Sequence, residues 1–374
     1  MRTKIIKNTK RLVVKLGTSS ISQSTGKPDL RKMEEITEDI ISVMDSGVEV
    51  VLVSSGAVGT GVSRLGFSQR PNTIPEKQAA AAVGQGILIQ NYEKLFEKHG
   101  KVIAQILLTR EDIADRNRYL NARNTLTTLL DYGVIPIVNE NDTVAIEEIQ
   151  FGDNDRLSAL VSCLIDADLL IILSDIDGVY TCDPRTNPQA RLIPLIEDID
   201  SGIECTASGR GSKFGTGGMV TKIQAAKIAT HSGIPMIVAN SSRNNIIHGI
   251  ISGGDNTGTL FLPNQRLHSK KRWIGFGSYA NGKIHVDSGA EKAMVQSGKS
   301  LLPSGIIKTG GSFVVGNVIS VVGCGGGEIA RGIVNYSAEE VELIKGRHTD
   351  EIEEILGFRT CPEVIHRDNL TITI

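Results

Sequence analysis

The sequence predicts an α/β protein: a doubly wound, mainly parallel sheet followed by a small β-rich domain. Three observations predict it. Short β-branched runs alternate with helix-like segments through roughly the first 260 residues. These runs are apolar along nearly their whole length, as strands buried on both faces of a parallel sheet must be. Near residues 262–272 the texture changes, and the polar, basic "LPNQRLHSKKR" gives way to short β patterns punctuated by glycine.

In chain order, "RLVVKLG" (Arg11–Gly17) reads as the first strand, with a helix from Asp29 to Met44 behind it. "EVVLVSSGA" (Glu49–Ala57) is the second strand. A long helix is expected over Pro75–Lys98, with Pro75 suited to its first turn. "VIAQILLT", "VIPIVNE", "LLIILSD" and "PMIVAN" supply four more strands, each separated from the next by helix-like sequence. The glycine-rich "GTGGMVTK" (Gly215–Lys222) precedes a helix expected over Ile223–His231. Past the textural change, "KIHVD", "GSFVVGNVISVV" and "EIARGIVNY" read as strands, with helices at Ala290–Ser297 and Ala338–Lys345. The expected domains are residues 1–262 and 276–374, joined by a linker over 263–275.

A chain of 374 residues with formal net charge −2 has no global field that draws it to nucleic acid or to a membrane surface. Its longest apolar run, "LLIIL", is far too short for a membrane span. Five cysteines lie far apart with no C-x-x-C pair, so reduced thiols in a cytoplasmic protein are expected.

Chemistry gathers just past the strands, where parallel α/β sheets bind ligands. The first strand ends in "KLGTS" (Lys15 to Ser19) and the second in "SSGA" (Ser54 to Ala57). "NEND" (Asn139 to Asp142) follows the fourth, "GDND" (Gly152 to Asp155) comes soon after, and "SDIDGVY" (Ser174 to Tyr180) ends the fifth. "GTGGMVTK" is not a P-loop, because three residues separate its last glycine from Lys222. Glycine-freed backbone N–H groups at a helix N-terminus nevertheless bind phosphate. Lysines neutralise the charge that moves in phosphoryl transfer. No Ser/His/Asp arrangement stands out, and no histidine sits in these motifs. An acceptor already ionised at neutral pH, such as a carboxylate, needs no general base.

Each motif also has a plain structural reading. Lys15 reads equally as a lysine guarding an edge strand, and Asp153 and Asp155 as a turn and helix N-cap. Gly56, Gly59 and Gly61 read as packing glycines, and "GTGGMVTK" as a mobile loop. Their recurrence at the ends of successive strands favours the chemical reading.

Together, "VVKLGTS", "SSGAVGTG", "LLTRED", "LNARNTL", "VNENDTVA", "FGDNDRLSALV", "LSDIDGVYTCDPR" and "GTGGMVTKIQAA" resemble the amino acid kinase family. "KRWIGF", "VDSGAEKAM", "SLLPSGI" and "EIARGIVNY" resemble a PUA domain. The resemblance implies the amino acid kinase fold and ATP-dependent phosphorylation of the γ-carboxylate of L-glutamate, the opening step of proline biosynthesis. It implies Lys15 and Lys222 as catalytic lysines and Asp155 as the carboxylate that positions them. It assigns Ser55, Asp142 and Asn154 to glutamate. It assigns Lys15, Ser174, Asp175, Thr216, Gly217, Gly218, Met219, Val220, Thr221 and Lys222 to ATP. Ser174 stands where some members have Thr, and Val220 where some have Ser. The resemblance further implies Mg²⁺ held mainly by the ATP phosphates, feedback inhibition by proline, hand-off of product to glutamyl phosphate reductase, and a homodimer or homotetramer.

The lysine and glycine motifs alone leave other acceptors open: aspartate, acetylglutamate, carbamate and uridylate serve other branches of the superfamily. "VNENDTVA" and "FGDND" with the PUA-like tail favour free glutamate. PUA domains also accompany RNA-modifying enzymes. From Leu267 onward, however, 12 basic residues face 12 acidic ones, unlike the basic surface that a phosphate backbone demands. The basic "HSKKRW" is expected to be a solvated charge run at the linker.

Overall fold

The computed structural model describes residues 2–145 except 24, 68 and 70, residues 154–204 except 185 and 201, and residues 218–253, 257–263 and 269–373. The chain divides into two compact units, Met1–Arg266 and Leu267–Ile374.

The first unit carries β1 (Arg11–Leu16), α1 (Leu30–Asp45), β2 (Glu49–Ser54), α2 (Ala57–Leu65), α3 (Ile74–Glu97) and β3 (Ile103–Leu108). It continues with α4 (Arg116–Asp131), β4 (Ile135–Glu140), α5 (Asn154–Leu164), β5 (Leu169–Ser174) and β6 (Leu195–Ile196). It ends with α6 (Met219–His231), β7 (Met236–Asn240), α7 (Ile246–Ile251) and β8 (Thr259–Phe261). The sheet order is β3-β4-β2-β1-β5-β7-β8-β6. All pairings are parallel except β7 with β8. The order reverses beside β1, because β2 pairs on one side of it and β5 on the other.

Local signals place the helices. Asp29 caps α1 by accepting from the Lys32 amide, and Thr73 with Glu76 forms a capping box at the start of α3. Gly56 turns the chain from β2 into α2 with φ at +98°, a left-handed conformation that an L side chain rarely adopts. The central strands β4 and β5 are buried along their whole length, and one apolar core joins them to α1 and α3.

Helix α6 starts at Met219 and not at Ile223, so Lys222 lies on its first turn and not in a loop. Gly218 is the extended N-cap, and the four residues Met219 to Lys222 join the helix after it. The short strands β6, at the sheet edge, and β8 beside it have too few residues to show a period in the sequence.

The second unit carries β9 (Gly282–Val286), α8 (Ser288–Ser297), β10 (Ile306–Gly311), β11 (Val318–Val322), β12 (Glu328–Ile333), α9 (Ala338–Ile344) and β13 (Leu370–Ile372). Its sheet order is β10-β9-β11-β12-β13, around a separate apolar core. The stretch "GSFVVGNVISVV" contributes only its second half as a strand. Val314 and Val315 are exposed before a turn at Gly316, whose φ is +86°. The basic run is not simply solvated: Arg272 is buried, and the Lys271 carbonyl accepts from the Thr371 hydroxyl.

Helices α2 and α3 meet in backbone contact. A Cβ on Gly61 would lie 1.7 Å from the Ala80 carbonyl oxygen, and one on Gly84 would lie 1.8 Å from that of Ala57. Gly84→Ala is therefore expected to lower stability by about 2 kcal/mol, the usual range for an overpacked contact. Gly86→Ala, whose Cβ would meet nothing within 4 Å, is expected to raise it by up to ~1 kcal/mol through helix propensity. Urea unfolding of the two variants checks the contrast.

Candidate active site

The ends of β4, β2, β1 and β5 lie side by side at the point where strand order reverses, the usual ligand crevice of an open α/β sheet. Lys15 sits on β1, an inner strand, between Val53 of β2 and Ile172 of β5. It is 4% exposed, so it is not an edge-strand guard. Its ammonium reaches Asp155, the second residue of α5, with Nζ 2.5 Å from Oδ1. Lys222 Nζ lies 3.1 Å from the other carboxylate oxygen, Oδ2. The Thr221 hydroxyl is 2.9 Å from the same Oδ2 and also within reach of the Gly218 carbonyl. Asp155 is wholly buried and Lys222 is 5% exposed.

This is a three-element junction around one carboxylate. Burial pushes the Asp155 carboxyl up, but the charges of Lys15 and Lys222 outweigh burial and hold it at about 2. The N-terminal turns of α5 and α6 both meet there, since Asp155 and Thr221 belong to those turns. Their dipoles add to the two ammonium groups. The junction thus carries more positive than negative charge and suits an anion in motion.

Beside it runs a chain of side-chain amides. The Asn154 amide nitrogen lies 2.7 Å from the Ser54 carbonyl, 2.9 Å from the Ser55 hydroxyl and 2.8 Å from Asn139 Oδ1. Asn139 in turn donates to Gln85 Oε1 at 2.7 Å. The Ser54 hydroxyl meets the Tyr92 hydroxyl of α3 at 2.9 Å, so the loop after β2 is tied to both α5 and α3. Asp142 follows on the turn after β4, and the turn's backbone bonds run from Val144 and Ala145 to the Asn141 carbonyl. Among the described residues no hydrogen bond joins Asp142 to Asn154 or Ser55. Burial pushes its carboxyl up to about 6.

On the nucleotide side, Ser174 ends β5 and donates to Asp175 Oδ1, while Asp175 itself is exposed. Gly218 caps α6 without a side-chain bond; Met219 and Thr221 are half-buried and Val220 is exposed. Thr216, Gly217 and Asp153 lie outside the described residues. No described hydrogen bond links Ser174 to Lys222. Among the described residues no three His, Cys, Asp or Glu side chains converge on a metal position. Asp155 is already shared by two lysines, so these residues do not build a cage for a resident ion.

Sequence reading singled out neither Gln85 nor Tyr92, which lie inside a long helix that shows no motif. Asn139 lay within "NEND" but carried no assigned role, and its signal was its position at a strand end.

With this geometry in view, the chain's family is plain. Residues 10–240 match the amino acid kinase family and residues 282–356 match the PUA domain. The chain belongs to the amino acid kinase family and carries a C-terminal PUA domain. It is 53% identical over 363 residues to the glutamate 5-kinase of Caldanaerobacter subterraneus subsp. tengcongensis, covering 97% of each chain. It is 51% identical over 364 residues to that of Moorella thermoacetica, covering 97% of this chain and 96% of the relative. Among solved structures, carbamate kinase from Giardia lamblia bound to AMP-PNP shares the fold, with TM-score 0.51 and 16% identity. That match covers 69% of this chain and 100% of the other.

The Asp155 junction makes a prediction for acid. A carboxyl held at about 2, below its ordinary 3.8, contributes stability that is present above about pH 4 and is lost as pH falls toward 2. Asp155→Asn should abolish that part of the pH dependence, read by urea unfolding between about pH 5 and pH 2.

Proposed function

We propose that this chain transfers the γ-phosphoryl group of ATP to the γ-carboxylate of L-glutamate, giving γ-glutamyl phosphate for proline biosynthesis. The observation that carries this reading is the Lys15–Asp155–Lys222 junction at the reversal of strand order. The substrate assignment draws on the full-length similarity to glutamate 5-kinases.

In this reading Lys15 and Lys222 face the phosphoryl group as charge passes from the leaving to the entering oxygen. Asp155 holds both ammonium groups in place without accepting a proton. Ser55, Asn154 and Asp142 bind the amino acid, with Asp142 facing its ammonium. Ser174, Asp175 and residues 216–222 bind the nucleotide. Magnesium enters as the Mg·ATP complex, in keeping with its preference for phosphate oxygens and water over dedicated protein cages. The γ-carboxylate is ionised at neutral pH and attacks without a general base.

Further parts of the proposal come from the family resemblance, and chemistry agrees with them. Proline has the carbon skeleton of glutamate closed into a ring and keeps its α-carboxylate and charged nitrogen, which suits it to inhibit at the amino-acid end. An acyl phosphate hydrolyses readily, which favours hand-off to glutamyl phosphate reductase. We further assign the enzyme to the cytoplasm as a homodimer or homotetramer; no described helix is long and apolar enough to cross a membrane.

The test is ATP consumption with hydroxylamine present to trap the acyl phosphate. Glutamate should give a hydroxamate, and aspartate, acetylglutamate and uridylate should give none. Lys222→Ala should lower kcat by about 10²-fold or more, the scale of one lost electrostatic donor in the transition state. A near-normal kcat would remove Lys222 from the mechanism.

Asp142 supplies a pH signature. A glutamate ammonium favours its ionised form, so protonation opposes binding as pH falls through about 6. The KM for glutamate should rise about tenfold from pH 7 to pH 5, above the range in which the substrate's own γ-carboxyl titrates. In Asp142→Asn that rise should disappear, while KM at pH 7 is already raised.

A further inference from the structure

Gln85 has one half of its amide engaged and the other half open. It lies on α3 beside Gly84, the residue whose backbone contact with Ala57 brings this helix against the turn after β2. It is 8% exposed. Its Oε1 accepts from Asn139 at 2.7 Å, and its Nε2 is buried with no hydrogen-bond partner among the described residues.

The direction of this bond is not a free choice. Asn139 Oδ1 accepts from the backbone amide of Glu140 at 2.9 Å, and a backbone N–H can only donate. That fixes Asn139 Nδ2 on the side of Gln85, which fixes Gln85 Oε1 toward Asn139. The Gln85 NH₂ group must therefore point away from Asn139. A buried donor left unpaired costs about 1–3 kcal/mol, a cost that a bound acceptor removes.

The rest of the network is already committed. The Asn154 amide hydrogens face Ser54, Ser55 and Asn139, and the two lysines face Asp155. Tyr92 meets Ser54. Among the described residues of this network the open donor is Gln85 Nε2. The group of an α-amino acid that needs donors, apart from the reacting carboxylate beside the lysines, is its α-carboxylate. Among the described residues the Thr60 hydroxyl is also buried and unpartnered, but no hydrogen bond ties it to this network.

We infer that Gln85 Nε2 donates to the α-carboxylate of the acceptor amino acid and so selects a free α-carboxylate at that position. The inference rests on the reading of the chain as a glutamate kinase. Gln85 thus recognises the end of the substrate that does not react.

The test exploits the fact that Gln85→Glu keeps an oxygen for Asn139 but turns the open donor into an acceptor. The two substrates are L-glutamate and its α-amide, isoglutamine, which retains the γ-carboxylate and the ammonium. Hydroxamate formation gives kcat/KM for each. In Gln85→Glu the preference for glutamate over isoglutamine should fall by about 10-fold or more, because the new carboxylate repels one substrate and accepts from the other.

Gln85→Met, neutral and of similar size, covers the case in which a buried carboxylate prevents folding. It should raise KM for glutamate by about tenfold, the loss of one hydrogen bond to a charged group, with KM for ATP within about twofold of wild type. A purely structural Gln85, or one that only binds a buried water, would leave the glutamate-to-isoglutamine ratio unchanged or move both KM values together. Either result overturns the inference. If the unsubstituted enzyme gave no hydroxamate with glutamate, the kinase reading itself would fail, which is a separate outcome.

Discussion

A single buried carboxylate sets the terms for the rest of the site. Asp155 is fully buried beside two nearly buried lysines, and neither ammonium could remain there at acceptable cost without it. Among the described residues two cations share this one anion. The same arrangement constrains the fold. Lys15 comes from β1, Asp155 from α5 and Lys222 from α6, so the strand and both helix starts must be held in one relation before the charges can be satisfied.

That relation is maintained by small residues. Ser158, Ala159 and Ser162 of α5 and Ala225, Ala226 and Ala229 of α6 are all buried, on two helices that pack together. The two serine hydroxyls return to the backbone carbonyls of Asp155 and Ser158, so close packing leaves no polar atom of theirs unpaired. On the other side of the sheet order, Gly61 and Gly84 let α2 and α3 touch through their backbones. Side chains of ordinary size at these positions would separate the helices and pull the amide chain from Gln85 to Asn154 apart.

The second unit is a distinct folding problem, with its own sheet and its own apolar core. Its balance of 12 basic and 12 acidic residues gives it no strong field. Arg272, within the basic run that introduces it, is spent inside the fold, which removes one cation from any surface that could track a polyanion.

Local sequence determined the order of strands and helices and the polar motifs just past the strands. Apolar runs, caps such as Asp29 and turn glycines such as Gly56 act over a few residues, so their physics is readable in place. A glycine-rich approach hides the first turn of α6 in the sequence, where Thr221 and Lys222 are held by Asp155 and do not follow an apolar period. Short strands such as β6, β8 and β13 gain their stability from neighbours and not from their own pattern. Lys15, Asp155 and Lys222 were visible as chemical candidates, and the family resemblance implied that Asp155 positions both lysines; the contact itself, across sequence gaps such as the 67 residues from Asp155 to Lys222, is made only by the tertiary structure. Gln85 was not visible at all. Its role depends on which way a neighbouring amide is turned, and a backbone N–H brought in by strand β4 decides that.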